Sequence, residues 1–321
     1  MQAIVRNNTF FIKKTFNDIY QYSNVVKPWD VDFRQIEKGE LNATLTMLAH
    51  KNFQIIETSY NKTLLQLGSS PKRLISFGVP RLNSTQFFWR GKRITRNNIC
   101  IFPINGEIAT ESRTGFDVYV LSFSPDFIEQ VCEELDISFL MRKIRNTELV
   151  TVSDSSMQGL QLYLKNIYMH LHHQTNLVFN VNFLDNIKHE ILSKILLTIE
   201  PHLNNSKQYT FRLRDRAFIK VKKYLLDHEN APLTVRQLIK ETNVSIRTLE
   251  YTFLERIGIT PKKVLKSLRL NRVNHELKLA DADKKKISDI ANYWGFWHMG
   301  QFAKDYKEMF GELPSNTLSQ K

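Results

Sequence analysis

The period of the apolar residues changes once along this chain, and that change limits the folds open to it. From about residue 30 to residue 123 apolar and polar side chains alternate, as in Leu41, Ala43, Leu45 and Met47, and again in Phe116, Val118 and Val120. A period of two belongs to a strand with one buried face. Short apolar runs, LISFGV (74–79) and ICIF (99–102), lie between turn signals at Gly68-Ser69-Ser70-Pro71, Arg90-Gly91-Lys92 and Asn105-Gly106. Asn-Gly between apolar runs is a strong hairpin signal, and many short strands with turns predict a β-sandwich or small barrel. The apolar spacing then becomes three and four. Met157, Leu160, Leu164, Ile167 and Leu171 form one stripe, and Leu184, Ile187, Ile191 and Ile195 form a second. Two helices are expected there, their stripes either packed on the sandwich or forming a homodimer seam. Since everything further on reads as helix, the expected class is α+β, with a β-rich N-terminal part and an all-α C-terminal part.

At 321 residues the chain is long enough for two domains. The polar stretch PHLNNSKQYT (201–210) follows a strongly apolar helix and is the best linker, giving domains 1–204 and 205–321. Charge divides along the same line. The net charge is +13, yet residues 205–321 carry 23 Lys+Arg against 13 Asp+Glu, and residues 1–204 carry 22 against 19. A basic domain on a near-neutral partner points to a polyanion ligand, most often nucleic acid. Two cysteines, Cys100 and Cys132, are too few for a disulfide framework. No apolar run approaches the roughly 18 residues of a membrane span. The opening MQAIVRNNTFFIKKTFNDIY lacks a signal-peptide core. A cytoplasmic protein with no membrane partner is expected.

Two segments of the C-terminal part carry its chemistry. In LTVRQLIKETNVSIRTLEYTFLERIGITP (233–261), Thr234 caps a short helix that buries Leu238 and Ile239. Asn243 and Val244 turn the chain, and Ser245 caps a second helix with Leu249 and Phe253 on its buried face. This is a helix-turn-helix pattern. Its second helix exposes Ile246, Arg247, Thr248, Glu250 and Tyr251 near its start, where a recognition helix meets base edges. In IANYWGFWHMGQFAKDYKEMFGELPS (290–315), a short helix ends near Trp294 and Gly295 makes the corner. Phe296 plugs the gap, and a second helix turns Phe302, Tyr306 and Met309 inward until Gly311 ends it and Pro314 prevents its resumption. Trp297, His298, Met299, Gln301 and Lys304 are left at the surface, Trp297 being equally open to a packing role. Between the segments, PKKVLKSLRLNRVNHELKL (261–279) predicts one long helix of roughly 28 Å. One turn of B-DNA is roughly 34 Å, so such a helix suits two recognition helices in successive major grooves.

With these residues the chain resembles the AraC/XylS family of bacterial transcription regulators over about 220–318. The likeness is carried by Ser245, Leu249, Phe253, Gly258, Pro261 and Arg269-Leu270, then by Ile290-Ala291, Gly295-Phe296, Phe302, Tyr306, Phe310-Gly311 and Pro314. The resemblance implies sequence-specific binding to double-stranded promoter DNA through both units, usually to activate transcription with RNA polymerase. It also implies a cupin-like N-terminal β-barrel with helices that senses a small-molecule effector or dimerises. Base-contact positions carried over from the family are Arg247, Glu250 and Tyr251, then Met299, Gln301 and Lys304. Many members have small polar residues where this chain has Trp297, His298 and Met299.

Other clusters are weaker. His170, His172 and His173 suggest a metal site, but a polar helix end explains them better, and no metal is expected. Arg81, Arg90, Lys92, Arg93 and Arg96 would line an acidic-effector pocket or decorate solvated hairpin ends. Cys100 and Cys132 read as inert core. No Walker A loop, dinucleotide fingerprint or Ser-His-Asp spacing is present, so neither a cofactor nor a catalytic residue is expected. The leading reading is an effector-responsive DNA-binding regulator. The alternatives are a constitutive dimeric regulator and, less well supported, a cupin-like enzyme fused to a DNA-targeting domain.

Overall fold

The computed structural model describes residues 4–6, 8–26, 29–89, 92–173, 177–205, 213–281 and 285–319. The N-terminal half opens with β1 (Ile4–Arg6), β2 (Thr9–Phe16) and helix α1 (Ile19–Val25). Strands β3 (Asp30–Gln35), β4 (Ala43–His50), β5 (Phe53–Tyr60), β6 (Leu64–Ser69), β7 (Ile75–Pro80), β8 (Phe87–Trp89), β9 (Lys92–Ile94), β10 (Asn98–Phe102), β11 (Glu107–Ser112) and β12 (Phe116–Phe123) follow. Next come α2 (Pro125–Glu134), α3 (Phe139–Asn146), β13 (Leu149–Thr151), α4 (Asp154–His173) and α5 (Val181–Ile199). The C-terminal half is α6 (Leu213–Asp227), α7 (Val235–Thr242), α8 (Ile246–Ile257), α9 (Pro261–Leu279), α10 (Ile287–Tyr293), α11 (Met299–Phe310) and α12 (Pro314–Ser319).

The strands form two antiparallel sheets. One is ordered β1-β2-β4-β5-β12-β7-β10-β13 and the other β3-β6-β11-β8-β9. They face each other as the cupin-like outline expects, and no strand pairing joins them into a closed ring among the described residues. Alternation explains the layering. Leu45, Met47, Ile56, Tyr60 and Val118 point from the large sheet into the space between the sheets and meet Val31, Phe33, Trp89 and Ile108 from the small one. The opposite face of the large sheet, with Leu48, Ile55, Phe77, Leu121 and Phe123, is covered by α2 to α5. The opposite face of the small sheet, with Leu65 and Leu67, is covered by the C-terminal helices. Both β1 and β2 lie upstream of the stretch that alternation marked as β. Arg90 and Gly91 of the second turn signal, and residues 206–210 of the linker, lie outside the described residues.

The helical stripes of α4 and α5 pack on the sheet rather than against a second chain. Leu164 and Leu171 are 0% exposed, as is Ile191. A homodimer seam built on them is therefore excluded, because period alone says which residues are buried and not against what. Leu162 (56% exposed) and Met169 (46%) lie on the outer face of the same helix.

The two halves are tied by polar contacts as well as by the shared core. Strand β3 is an edge strand, and Asn271 on α9 docks on it. Its Nδ2 donates to the Gln35 carbonyl (2.9 Å), and its Oδ1 accepts from the Gln35 backbone N–H (3.4 Å). This mimics one rung of a β-ladder, satisfying backbone groups that an edge leaves open. The Gln35 side chain donates in turn to the Met309 carbonyl (2.9 Å). Arg34 pairs with Asp32 (2.5 Å) and Arg272 with Glu229 (2.6 Å) nearby, while Tyr20 stacks on His275 at 4.0 Å.

Candidate nucleic-acid interface

The first unit forms as its cap residues dictate. Thr234 accepts from the Gln237 N–H while the Gln237 side chain accepts from the Thr234 N–H, a complete capping box at the start of α7. Asn243, at the C-cap, is left-handed with φ +50°, a conformation Asn tolerates better than other non-glycine residues. The Ser245 hydroxyl then caps α8 by accepting from the Thr248 N–H at 3.1 Å. Leu249 and Phe253 are buried under it, and Gly258, at φ +79°, ends it. That C-cap lies on the small sheet, where a Cβ added to Gly258 would come within 2.5 Å of the Glu111 carboxylate on β11.

The second unit repeats the design with other residues. Gly295 has φ +79°, and its N–H reaches the Asn292 carbonyl at 2.9 Å. Trp294 is buried, and its indole donates to Glu276 on α9 at 2.7 Å. Phe296 packs on Phe302 (centroids 5.3 Å apart) and beneath the Arg269 guanidinium. Tyr306 accepts from Asn274 Nδ2 (2.7 Å) and donates to Thr317 (2.8 Å). Burial pushes its phenol above the usual range, so it stays protonated in these roles. Gly311, at φ +83°, ends α11. Pro314 is the first residue of α12, so it starts a helix as well as closing off α11.

Between the units α9 runs unbroken from Pro261 to Leu279, and it contributes to both cores. Val264 and Leu265 belong to the first; Leu270, Val273 and Leu277 belong to the second. Two short helices thus sit on one rod, each with its N-terminal turn free.

The candidate contact residues separate on inspection. On α8, Ile246, Arg247, Glu250 and Tyr251 are exposed, and the Arg247 guanidinium lies 6.0 Å from the Tyr251 ring centroid. Thr248 is half-buried, its hydroxyl tied to Ser245 at 2.9 Å, so it serves the cap first. On α11, His298 is an exposed N-cap without a side-chain capping bond, and Gln301 and Lys304 are exposed. Met299 is half-buried against the core of the second unit. Trp297 is 72% exposed, so packing is not its role. Sequence reasoning missed Asp305. It accepts from Gln301 Nε2 at 2.9 Å and pairs with Lys266 of α9 at 2.7 Å. The four-residue spacing to Gln301 was its available signal.

The other sequence candidates do not converge. His172 pairs with Glu57 (3.1 Å) and His170 bonds the Asn166 carbonyl (2.7 Å); among the described residues no group of three potential metal ligands comes together. Arg81 is held by Glu57 (3.0 Å) and Asp117 (2.8 Å), Arg96 by Asp154 (3.4 Å), and Arg93 by Gln86 (2.5 Å). Arg81, Arg93 and Arg96 are thus each held by a separate partner, and Arg90 lies outside the described residues. Burial pushes the Cys132 thiol up to about 11. Among the described residues no helix is long and apolar enough to cross a membrane.

Comparison with known proteins agrees with this geometry. One family model, the helix-turn-helix domain, matches residues 238–320. A probable thc operon regulatory protein of Rhodococcus erythropolis is 40% identical over 95 residues, 30% of this chain and 29% of that protein. The XylDLEGF operon transcriptional activator 2 of Pseudomonas putida is 30% identical over 129 residues, 40% of this chain and 80% of that protein. A probable AraC family transcriptional regulator from Rhodopseudomonas palustris, of solved structure, is 31% identical with a TM-score of 0.29. That match covers 33% of this chain and 96% of the other. The match spans less than a third of the Rhodococcus protein's length. With two capped units on one rod, a matching helix-turn-helix model and a relative covered over most of its length, the chain belongs to the AraC/XylS family of bacterial transcription regulators.

Proposed function

We propose that this chain is a sequence-specific transcription activator that binds double-stranded promoter DNA through residues 205–321. In this reading residues 1–204 sense a small-molecule effector and hold a homodimer together. The observation that carries the reading is the pair of exposed helix starts, Arg247 with Tyr251 and Gln301 with Lys304, mounted on the single rod α9. Relatives are named as operon activators, and activation from a promoter implies contact with RNA polymerase. No catalytic role is assigned, and the expected location is the cytoplasm. A constitutive regulator would need no unfilled space in its sensor half, and a cavity between the two sheets favours the effector-responsive form.

Binding-site selection on single variants tests the DNA reading. Gln301→Ala and Arg247→Ala should each relax preference at one base position, by about 1–3 kcal/mol, with the two positions about one helical turn apart. Lys304→Ala should weaken all sequences alike and lower the salt slope by about one phosphate contact. Unchanged preferences in folded Gln301→Ala and Arg247→Ala proteins would remove the base-reading role.

For the dimer, the outer face of α4 is the seam this reading selects. Gly159, Leu162, Asn166, Met169 and His173 are exposed at alternating spacings of three and four, the repeat of a coiled-coil seam. The double variant Leu162→Asp, Met169→Asp should be a monomer by light scattering, with its melting curve nearly unchanged. A persistent dimer would move the seam elsewhere.

A further inference from the structure

Between the two sheets lies a cavity of about 80 Å³. Its large-sheet wall is apolar, with Ile56, Tyr60, Val118 and Phe102 among its residues. The hydroxyls there satisfy one another: Tyr22 bonds Tyr60 at 2.7 Å and Thr58 at 3.0 Å, and Thr58 donates to the Thr44 carbonyl at 2.8 Å. The small-sheet wall differs. Strand register sets Gln66 opposite Thr110 and Thr110 opposite Trp89, so these three form one row facing the cavity. Trp89 is 1% exposed, and among the described residues its indole Nε1 has no hydrogen-bond partner; the buried Gln66 Nε2 has none there either. Two buried donor nitrogens that meet no acceptor among the described residues are a standing penalty that a folded protein rarely carries without use.

We propose that this cavity takes a small uncharged ligand with a hydrogen-bond acceptor, such as a ketone, ester or amide, held by Trp89 Nε1 and Gln66 Nε2. The inference rests on the effector reading and names the chemistry of the effector. Among the described residues no Asp, Glu, Lys, Arg or His lines the cavity, so a carboxylate would meet no counter-charge from them, and burial penalises an unpaired charge heavily. Lys92 lies near enough to bear on the Cys100 thiol, but it is not a lining residue and already has a partner. The volume is roughly half that of the 150 Å³ engineered cavity that takes up benzene, which favours ligands of about four heavy atoms.

A matched series of equal size and shape tests this on the full chain: acetone, isobutene and acetate, followed by thermal melting and tryptophan emission. The ketone should raise the midpoint and bind about ten-fold more tightly than the hydrocarbon, the carboxylate not at all. Trp89→Phe keeps an aromatic ring and removes one donor; Gln66→Leu removes the other. Either should erase the ketone's advantage while leaving the uptake of isobutene. A carboxylate that binds best, or a ketone advantage that survives both substitutions, overturns the ligand class and leaves the chamber standing. Failure of all three probes to bind removes this cavity as the effector site altogether.

A second observation carries an independent inference. Because Asp305 is a carboxylate, only the Gln301 amide nitrogen can face it. The second N–H and Oε1 of Gln301 are then turned away, the donor and acceptor pair that adenine matches. We infer that Asp305, anchored by Lys266, is a positioning residue for base reading. Asp305→Ala should relax the same base position as Gln301→Ala, with unchanged melting and salt slope. If Gln301→Ala shifts preference and Asp305→Ala does not, the positioning role is wrong. If neither shifts it, the base-reading role of Gln301 falls as well.

Discussion

Leu164→Asp should abolish cooperative folding of the N-terminal half. Leu164 sits in the middle of α4 at 0% exposure, in one apolar core with Leu160, Leu171, Ile191 and the large sheet. Removing such a side chain costs about 2–5 kcal/mol. Burying a carboxyl without partners adds several more. The sum rivals the whole stability of a typical domain, about 5–15 kcal/mol. Circular-dichroism melting should show no native baseline, and the protein should accumulate as aggregate. Leu162→Asp, one turn portion away on the same helix, is the control, since its side chain already faces solvent. A soluble, cooperatively melting Leu164→Asp protein would show that α4 does not belong to this core.

Gly295→Val should destabilise the second reading unit by about 2–3 kcal/mol. Gly295 has φ +79°, which L-residues occupy at a cost of about 1–2 kcal/mol, more when β-branched. A Cβ there would also stand 3.0 Å from an Arg269 guanidinium nitrogen. That would disturb the stack of Arg269 on Phe296, which seals the corner between α10 and α11. Tryptophan fluorescence reports the damage, because Trp294 and Trp297 flank the site. Loss of the second half of the operator footprint, with the first half retained, is the expected DNA-binding result. An unchanged melt would mean the corner accepts a side chain and the aromatic packing does not depend on its geometry.

Most of the reading half was legible in the sequence because its signals are local. Thr234, Asn243, Ser245, Gly295 and Gly311 each answer a backbone requirement within a few residues, and the helices begin and end where these residues stand. The exception, Pro314, is ambiguous in principle, since proline both ends one helix and opens the next. The sensor half was less legible because its signals are distant. Alternation marked the strands but not that β12 lies between β5 and β7. The α4 stripe announced burial, while its target, a sheet drawn from several remote segments, has no local signature. At the candidate interface, exposure of Arg247, Gln301 and Lys304 followed from helical phase. The Asp305 clamp and the Asn271 rung on Gln35 depend on which surfaces meet, and spacing alone does not specify that.

The shared core has a consequence for how this protein is divided in the laboratory. Leu65 and Leu67 of the small sheet, with Ile36 just after β3, pack in one cluster with Phe218, Leu249 and Phe253 of the first unit, whereas the second unit keeps a cluster of its own. A hybrid that grafts this sensor onto another family member's reader at the 201–210 segment would split the first cluster. The seam that leaves both clusters whole falls inside α9, between Leu268, which packs with the first cluster, and Leu270, which belongs to the second. The exchangeable cartridge in this regulator is therefore the last quasi-repeat alone, and its natural cutting point is the middle of a helix.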